Sequence, residues 1–140
     1  LLDDYINSRT EGFGEETRRR ILLGTFVLSS GYIDSYYRKA DAAREVLRRE
    51  YADAFMKVDV IAFPTTPSPA FRFGEKSDPL SMYLEDIFTV TANLTGMPAI
   101  SIPMGTVKRE EKELPVGIHF TAPHQAENVL FVAGSAVEKA

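Results

Sequence analysis

A short apolar run that ends in closely spaced prolines most constrains the fold of this chain. Residues 58–63, VDVIAF, are rich in β-branched and aromatic side chains and predict a buried strand. Residues 64–69, PTTPSP, follow directly. Because proline fixes φ and has no backbone N–H, this second segment is predicted to be extended and irregular. A threonine-rich loop at the end of a strand either lines a ligand crevice or is a rigid connector, and the pattern allows both.

Helical patterns surround this predicted strand. Apolar residues recur at helical spacing over residues 15–29 and 33–58. Asp78 followed by Pro79 predicts a helix start, and Gly96 ends that helix. The remaining predicted elements are a strand at 99–102 stopped by Pro103, a charged hairpin tip at 108–113, a strand at 115–120 and a closing helix at 125–140. The alternation of strands and helices predicts an α/β fold in which helices cover a sheet.

Composition excludes several classes of function. The chain has 140 residues and a formal net charge of -4, which argues against a nucleic-acid groove. No apolar run approaches the roughly 20 residues that a membrane-spanning helix needs, so no membrane contact is expected. The lack of cysteine excludes disulfides and thiolate catalysis, and two histidines are too few for a histidine-rich metal site. The chain begins at Leu1 without an initiating methionine, so we expect a fragment of a longer protein.

Asp86 is the first candidate for a binding role. No charged residue occurs between Ile87 and Val107, and at helical spacing Asp86, Thr89 and Asn93 form one stripe. A solvated face normally carries lysine, glutamate or arginine, whereas this composition suits the wall of a polar pocket. The alternative is an aspartate at a helix edge that pairs with a structural arginine.

Arg18, Arg19 and Arg20 are the second candidate. Three consecutive arginines fan around a helix at about 100° per residue, so we expect at least one to turn inward beside Ile21. An inward guanidinium needs an anionic partner because an unpaired buried charge is costly. That partner is either a carboxylate of the protein, which the sequence favours, or a ligand carboxylate.

Ser29 and Ser30 do not qualify as nucleophiles. They stand where a helix ends, which is a common capping position, and no general base is recognisable near them. His119 in a strand pattern and His124 in a loop are interpreted as structural or exposed.

Several motifs together resemble the amidase signature family over essentially the whole chain. PTTP at residues 64–67 and NLTGMPAIS at 93–101 are similar to segments shared by many amidases. The stretch from Glu11 to Tyr37, with EGFGEE, RRI, LGTF and LSSGY, is more similar to the amidase-type A subunits of tRNA-dependent amidotransferases. The resemblance implies the C-terminal part of the amidase signature fold, with a mixed β-sheet covered by helices. Residues 1–140 would be the C-terminal portion of a single amidase domain.

The resemblance also implies an activity for the whole enzyme. Such proteins hydrolyse glutamine with a Ser–cis-Ser–Lys triad, which lies upstream in the family. The ammonia converts Glu-tRNA(Gln) to Gln-tRNA(Gln) or, in some organisms, amidates Asp-tRNA(Asn). Subunits B and C are the implied partners, with tRNA contacted mainly through the partner subunit. No cofactor is implied in this chain, whereas ATP and Mg²⁺ are expected at the partner. A cytoplasmic location is expected, and the lack of cysteine fits a reducing compartment.

Two residues carry the resemblance to a substrate site. The family uses an arginine and an aspartate to hold the α-carboxylate and α-ammonium of glutamine, and these positions match Arg20 and Asp86, with Arg19 as the alternative arginine. A zwitterionic ligand suits one fixed cation and one fixed anion. The expected function is thus glutamine binding by a piece that is inactive alone. The alternatives are a fragment of another amidase acting on a simple amide, and a non-catalytic α/β interaction module.

Overall fold

The chain divides into two units at a point within one long helix. The computed structural model describes residues 1–139. The first unit is Leu1–Ala43 and the second begins at Arg44. The boundary lies inside helix α3, Arg38–Phe55. Among residues 1–139, no helix is long and apolar enough to cross a membrane.

The first unit is helical and has no buried residue. It contains α1 (Leu2–Gly12), α2 (Glu15–Val27), a π-helical turn (Ile33–Tyr37) and the start of α3. The helix predicted over residues 15–29 is confirmed as α2, and the one predicted over 33–58 is confirmed as the π-helical turn followed by α3. Aromatic rings hold the connection after α2, where the ring centroids of Phe26 and Tyr32 lie 4.3 Å apart.

A three-stranded sheet organises the second unit. Its strands are β1 (Ile61–Pro64), β2 (Ala99–Arg109) and β3 (Lys112–Thr121), in the spatial order β1-β3-β2. Both pairings are antiparallel. The α/β class is confirmed, and helix α6 (Glu127–Glu138) packs on the sheet. Each strand pair described here is antiparallel. The strand predicted at residues 58–63 begins three residues later than expected.

Strand β2 corrects a prediction made from proline. Pro103 does not end the strand, which continues to Arg109 and forms a long hairpin with β3. The pairing register shifts between Pro103 and Gly105, and β2 is an edge strand. Proline is tolerated at such irregularities and edges because no ladder hydrogen bond is demanded of it there. The hairpin turns at Glu110, whose φ is 56°, inside the predicted charged tip.

The helix predicted from Asp78 to Gly96 begins and ends as expected but is not continuous. It consists of α4 (Pro79–Tyr83), a 3-10 turn (Leu84–Asp86) and α5 (Val90–Thr95). The Asp78 carboxylate accepts hydrogen bonds from the backbone N–H and the hydroxyl of Ser81, both at 2.9 Å, and these donors lower its pKa. Gly96 ends α5 with φ 76°. The break falls in a stretch of aromatic and β-branched residues, which are weak helix formers.

The core lies between the sheet and the closing helix α6, Glu127–Glu138. Ile102 and Phe120 of the sheet meet Leu130 of α6, with Ala122 beside them. A Cβ on Gly134 would lie 2.9 Å from Ile102 Cδ1, so the absence of a side chain there lets the helix approach β2 closely.

Leu130→Ala tests this core. Leu130 is 3% exposed, and its truncation removes buried contacts and leaves a cavity, so the free energy of unfolding should fall by about 2–5 kcal/mol. Val132→Ala is the control because Val132 is 72% exposed on the same helix, and its effect should stay within about 0.5 kcal/mol. Urea denaturation followed by circular dichroism measures both. Equal losses for the two variants would contradict the assignment of the core.

Candidate functional site

A glycine in β3 allows the proline-rich loop and β2 to meet. Thr65 Oγ1 and Ser101 Oγ are 2.7 Å apart, and the Thr65 N–H donates to the Gly117 carbonyl oxygen at 2.9 Å. A Cβ on Gly117 would lie 2.7 Å from the first hydroxyl and 3.0 Å from the second. Only a residue without a side chain lets all three groups approach this closely. The segment 65–69 is irregular, as its prolines predicted.

A pocket of about 330 Å³ opens beside this hydroxyl pair. Its wall consists of residues of the loop between Thr65 and Phe71, Ser101, the middle of β3 near Gly117, and Glu85. The proline-rich loop therefore lines a crevice, one of the two possibilities that its sequence allowed. Thr65, Thr66, Ser68 and Ser101 are the hydroxyl-bearing residues of this wall, and Glu85 is its acidic residue.

Glu85 is at the centre of a polar network that the sequence did not predict. The Ser68 hydroxyl donates to its two carboxylate oxygens at 3.1 and 2.9 Å, and Lys76 Nζ forms an ion pair with Oε1. The side chains of Lys76 and Glu85 are only 21% and 14% exposed. The hydrogen bond from Lys76, together with that from Ser68, lowers the pKa of Glu85 in spite of its partial burial. The partners are 9 and 17 residues away in the chain, too far for a helical or hairpin pattern to indicate them.

Asp86 follows Glu85 directly and is exposed. Its backbone carbonyl accepts from the Thr89 N–H at 3.0 Å and from the Thr89 hydroxyl at 3.2 Å. Asn93 Nδ2 then donates to the Thr89 carbonyl at 3.2 Å. The three residues of the predicted stripe thus lie on consecutive turns, with Asp86 and Asn93 exposed and Thr89 partly buried. The carboxylate that lines the pocket is that of the neighbouring Glu85.

The arginines of α2 are exposed, which corrects the expectation that one of them turns inward. Arg19 Nη1 donates to Glu16 Oε2 at 2.7 Å, and Arg20 Nε donates to Glu16 Oε1 at 2.9 Å. The side chains of Arg19 and Arg20 are 43% and 63% exposed. Acidic residues one turn earlier satisfy these guanidinium groups at the helix surface, so burial is not required. Arg20 belongs to the first unit of the chain and Asp86 to the second.

The other candidates have structural roles. The Ser29 hydroxyl donates to the Phe26 carbonyl at 2.6 Å, as expected at a helix end. His119 is buried in β3, with Nε2 3.4 Å from Thr121 Oγ1, and burial lowers its pKa. Among residues 1–139, no three histidine, cysteine, aspartate or glutamate side chains are placed to hold a metal ion together.

Gly117→Ala tests the close approach between the loop and β2. The new methyl group would collide with Thr65 Oγ1, and we expect the free energy of unfolding to fall by about 1–3 kcal/mol. In a Thr65→Ala background the nearest clashing atom is absent, so the same substitution should cost less. Denaturant titration of the four proteins gives the coupling. Equal costs in the two backgrounds would contradict the contact.

His119 predicts a pH dependence of stability. Its pKa in the folded chain is lowered below about 6.5, the value expected in the unfolded chain, so the unfolded chain binds a proton more readily as the pH falls below 6.5. The free energy of unfolding should therefore decrease between about pH 7 and pH 5. Denaturant titrations at the two pH values measure this slope. His119→Gln should reduce it, and an unchanged slope in this variant would contradict the prediction.

Comparison with known proteins assigns the family. The Amidase family model matches residues 1–131. The A subunit of glutamyl-tRNA(Gln) amidotransferase from Akkermansia muciniphila is 49% identical over 99% of this chain, and that from Chlorobium limicola is 58% identical over 85% of it. The chain spans 30% and 25% of the length of these two relatives.

Two solved structures show the same fold. The A subunit of glutamyl-tRNA(Gln) amidotransferase from Thermotoga maritima is 44% identical, with a TM-score of 0.66 over 91% of this chain and 27% of its own. A structure described as an amidase is 25% identical, with a TM-score of 0.73 over 98% of this chain and 31% of its own. The agreement of the family model, the sequence relatives and the fold shows that this chain belongs to the amidase family.

Proposed function

We propose that this chain forms the glutamine-binding part of the amidase subunit of a tRNA-dependent amidotransferase. The observation that supports this is the identity of 49–58% to proteins named as the A subunit of glutamyl-tRNA(Gln) amidotransferase, over most or all of the chain. The solved structure of one such protein is also more similar in sequence, at 44%, than the structure described only as an amidase, at 25%.

The proposed ligand is a free amino acid, and its two charges require opposite partners. Arg20 would hold the α-carboxylate of glutamine, and Asp86 would accept hydrogen bonds from its α-ammonium group. Both side chains are exposed, and the Asp86 carboxylate has no hydrogen bond or ion pair with the described residues 1–139. Glu16 orients Arg20 through its Nε, and the carboxylate of glutamine would add to that contact or replace it. Held through both charged groups on its α-carbon, the substrate would present its side-chain amide in one orientation.

The rest of the proposed enzyme supplies the chemistry. In the proposed reaction a Ser–cis-Ser–Lys triad outside these 140 residues hydrolyses glutamine to glutamate and ammonia. The ammonia then converts Glu-tRNA(Gln) to Gln-tRNA(Gln) at a partner subunit. Subunits B and C are the proposed partners, with ATP, Mg²⁺ and most contacts to tRNA on the partner. The proposed location of the enzyme is the cytoplasm, and the isolated chain is expected to lack glutaminase activity.

Substitution of the two charged residues tests the proposal in the protein encoded by the complete reading frame. Arg20→Gln and Asp86→Asn should each raise the KM for glutamine by about 10- to 100-fold, because each removes a hydrogen-bonded charge contact. Arg18→Gln is the matched control on the same helix and should have little effect. Arg19→Gln decides which arginine of the pair binds the carboxylate. Steady-state glutaminase assays provide KM and kcat.

The alternative amidase predicts a different result. An enzyme for a simple neutral amide has no need of a cation and an anion that bind the charged groups on an α-carbon. If Arg19→Gln, Arg20→Gln and Asp86→Asn all leave glutamine hydrolysis unchanged, or if the full-length protein hydrolyses simple amides in preference to glutamine, the proposal is wrong.

A further inference from the structure

Glu85 and Asp86 are consecutive acidic residues with opposite environments. The Glu85 side chain is 14% exposed, whereas Asp86 is exposed. Both belong to the 3-10 turn, where about three residues complete a turn and neighbouring side chains point about 120° apart. A contact that holds Glu85 in the interior therefore also determines the direction in which Asp86 points.

The interior contact comes from the loop between β1 and α4. Ser68 and Lys76 both belong to this loop, and both donate to the Glu85 carboxylate. Lys76 Nζ also lies 3.4 Å from Ser68 Oγ, so the three side chains form a closed set of contacts. A charged side chain at this level of burial needs its partner, because neither charge is well solvated. Loss of one member would release the others toward water.

A second set of contacts holds the chain just after Asp86. The ring of Phe88 stacks on that of Phe63 in β1, with centroids 5.9 Å apart and an angle of 12° between the planes. Thr89 donates two hydrogen bonds to the Asp86 carbonyl oxygen. In the chain, Asp86 is therefore preceded by Glu85, which is in the ion pair with Lys76, and followed by Phe88 and the start of α5. These contacts restrict the backbone before and after Asp86, whose carboxylate is exposed.

We propose that Glu85, held by Ser68 and Lys76, is a positioning residue that fixes the carboxylate of Asp86 for the ammonium group of the substrate. This inference rests on the proposed function, in which Asp86 binds that group. Glu85 makes no contact with the ligand in this account and acts only through the orientation of the turn. The hydrogen bonds from Lys76 and Ser68 lower the pKa of Glu85 and so favour the ionised form that the contact with Lys76 requires.

A cycle of variants in the protein encoded by the complete reading frame tests this inference. Glu85→Gln and Lys76→Met should each raise the KM for glutamine by about 3- to 10-fold while kcat changes by less than about 2-fold. Lys76→Arg keeps the positive charge and should restore most of the affinity. In an Asp86→Asn background, Glu85→Gln should add little, because the contact that it positions is already lost.

Glu75→Gln is the matched control. Glu75 lies on the same loop as Lys76 and forms an ion pair with Arg109 of the β2–β3 hairpin. It undergoes the same chemical change but belongs to a different contact, and its effect on the KM should be less than about 2-fold. Amide hydrogen exchange over residues 84–89 adds a readout independent of catalysis, and it should increase in Glu85→Gln but not in Glu75→Gln.

The outcomes separate this inference from the function on which it rests. If Asp86→Asn raises the KM and Glu85→Gln does not, the positioning role alone is overturned. Equal rises for Glu85→Gln and Glu75→Gln overturn it as well, since any loosening of the loop would then suffice. If Asp86→Asn leaves the KM unchanged, the proposed substrate contact fails and the positioning role fails with it. The inference is supported if Glu85→Gln and Lys76→Met raise the KM for glutamine, Glu75→Gln does not, and Glu85→Gln has no further effect in the Asp86→Asn background.

Discussion

The pairing of β3 with strands on both sides is the constraint on which the second unit depends. β3 carries Phe120 into the core beneath α6, and its register aligns Phe63 of β1 and Ser101 of β2 with the same residue, His119. Hydrogen bonds along both edges of one strand leave little freedom to slide, because a shift by one residue would reverse every side chain. The loops that leave β1 and β2 are therefore placed by the same strand.

A series of short contacts connects the sheet to the candidate site. The absence of a side chain at Gly117 lets Thr65 reach Ser101, which holds the first residues of the proline-rich loop against the sheet. The same loop then provides Ser68 and, further on, Lys76 to Glu85. Prolines within the loop reduce the number of backbone conformations that must be given up on folding. A stiff connector and a crevice wall are thus two properties of one segment.

The sequence predicted what local chemistry controls and missed what distant residues control. The cap at Asp78 and the end at Gly96 follow from hydrogen bonding and φ preference within a few residues, and both are confirmed. The break at residues 84–89 falls where weak helix formers coincide with contacts to Lys76 and Phe63, and the apolar spacing of the segment does not contain those contacts. The charge-free stretch that follows Asp86 indicates that residue, whereas no local pattern indicates Glu85, because its partners are 9 and 17 residues away in the chain. Arg20 and Asp86 remain a prediction as a pair.

The exposure of the first unit, Leu1–Ala43, determines how its helices would unfold. No residue between Leu1 and Ala43 is buried, and apolar side chains such as Leu22 and Leu23 are 71% and 57% exposed. The heat capacity of unfolding arises mainly from apolar surface that folding removes from water. These helices would therefore contribute little to that quantity, and by themselves they would melt gradually, as nearest-neighbour helix–coil equilibria do, without the sharp transition of a packed domain.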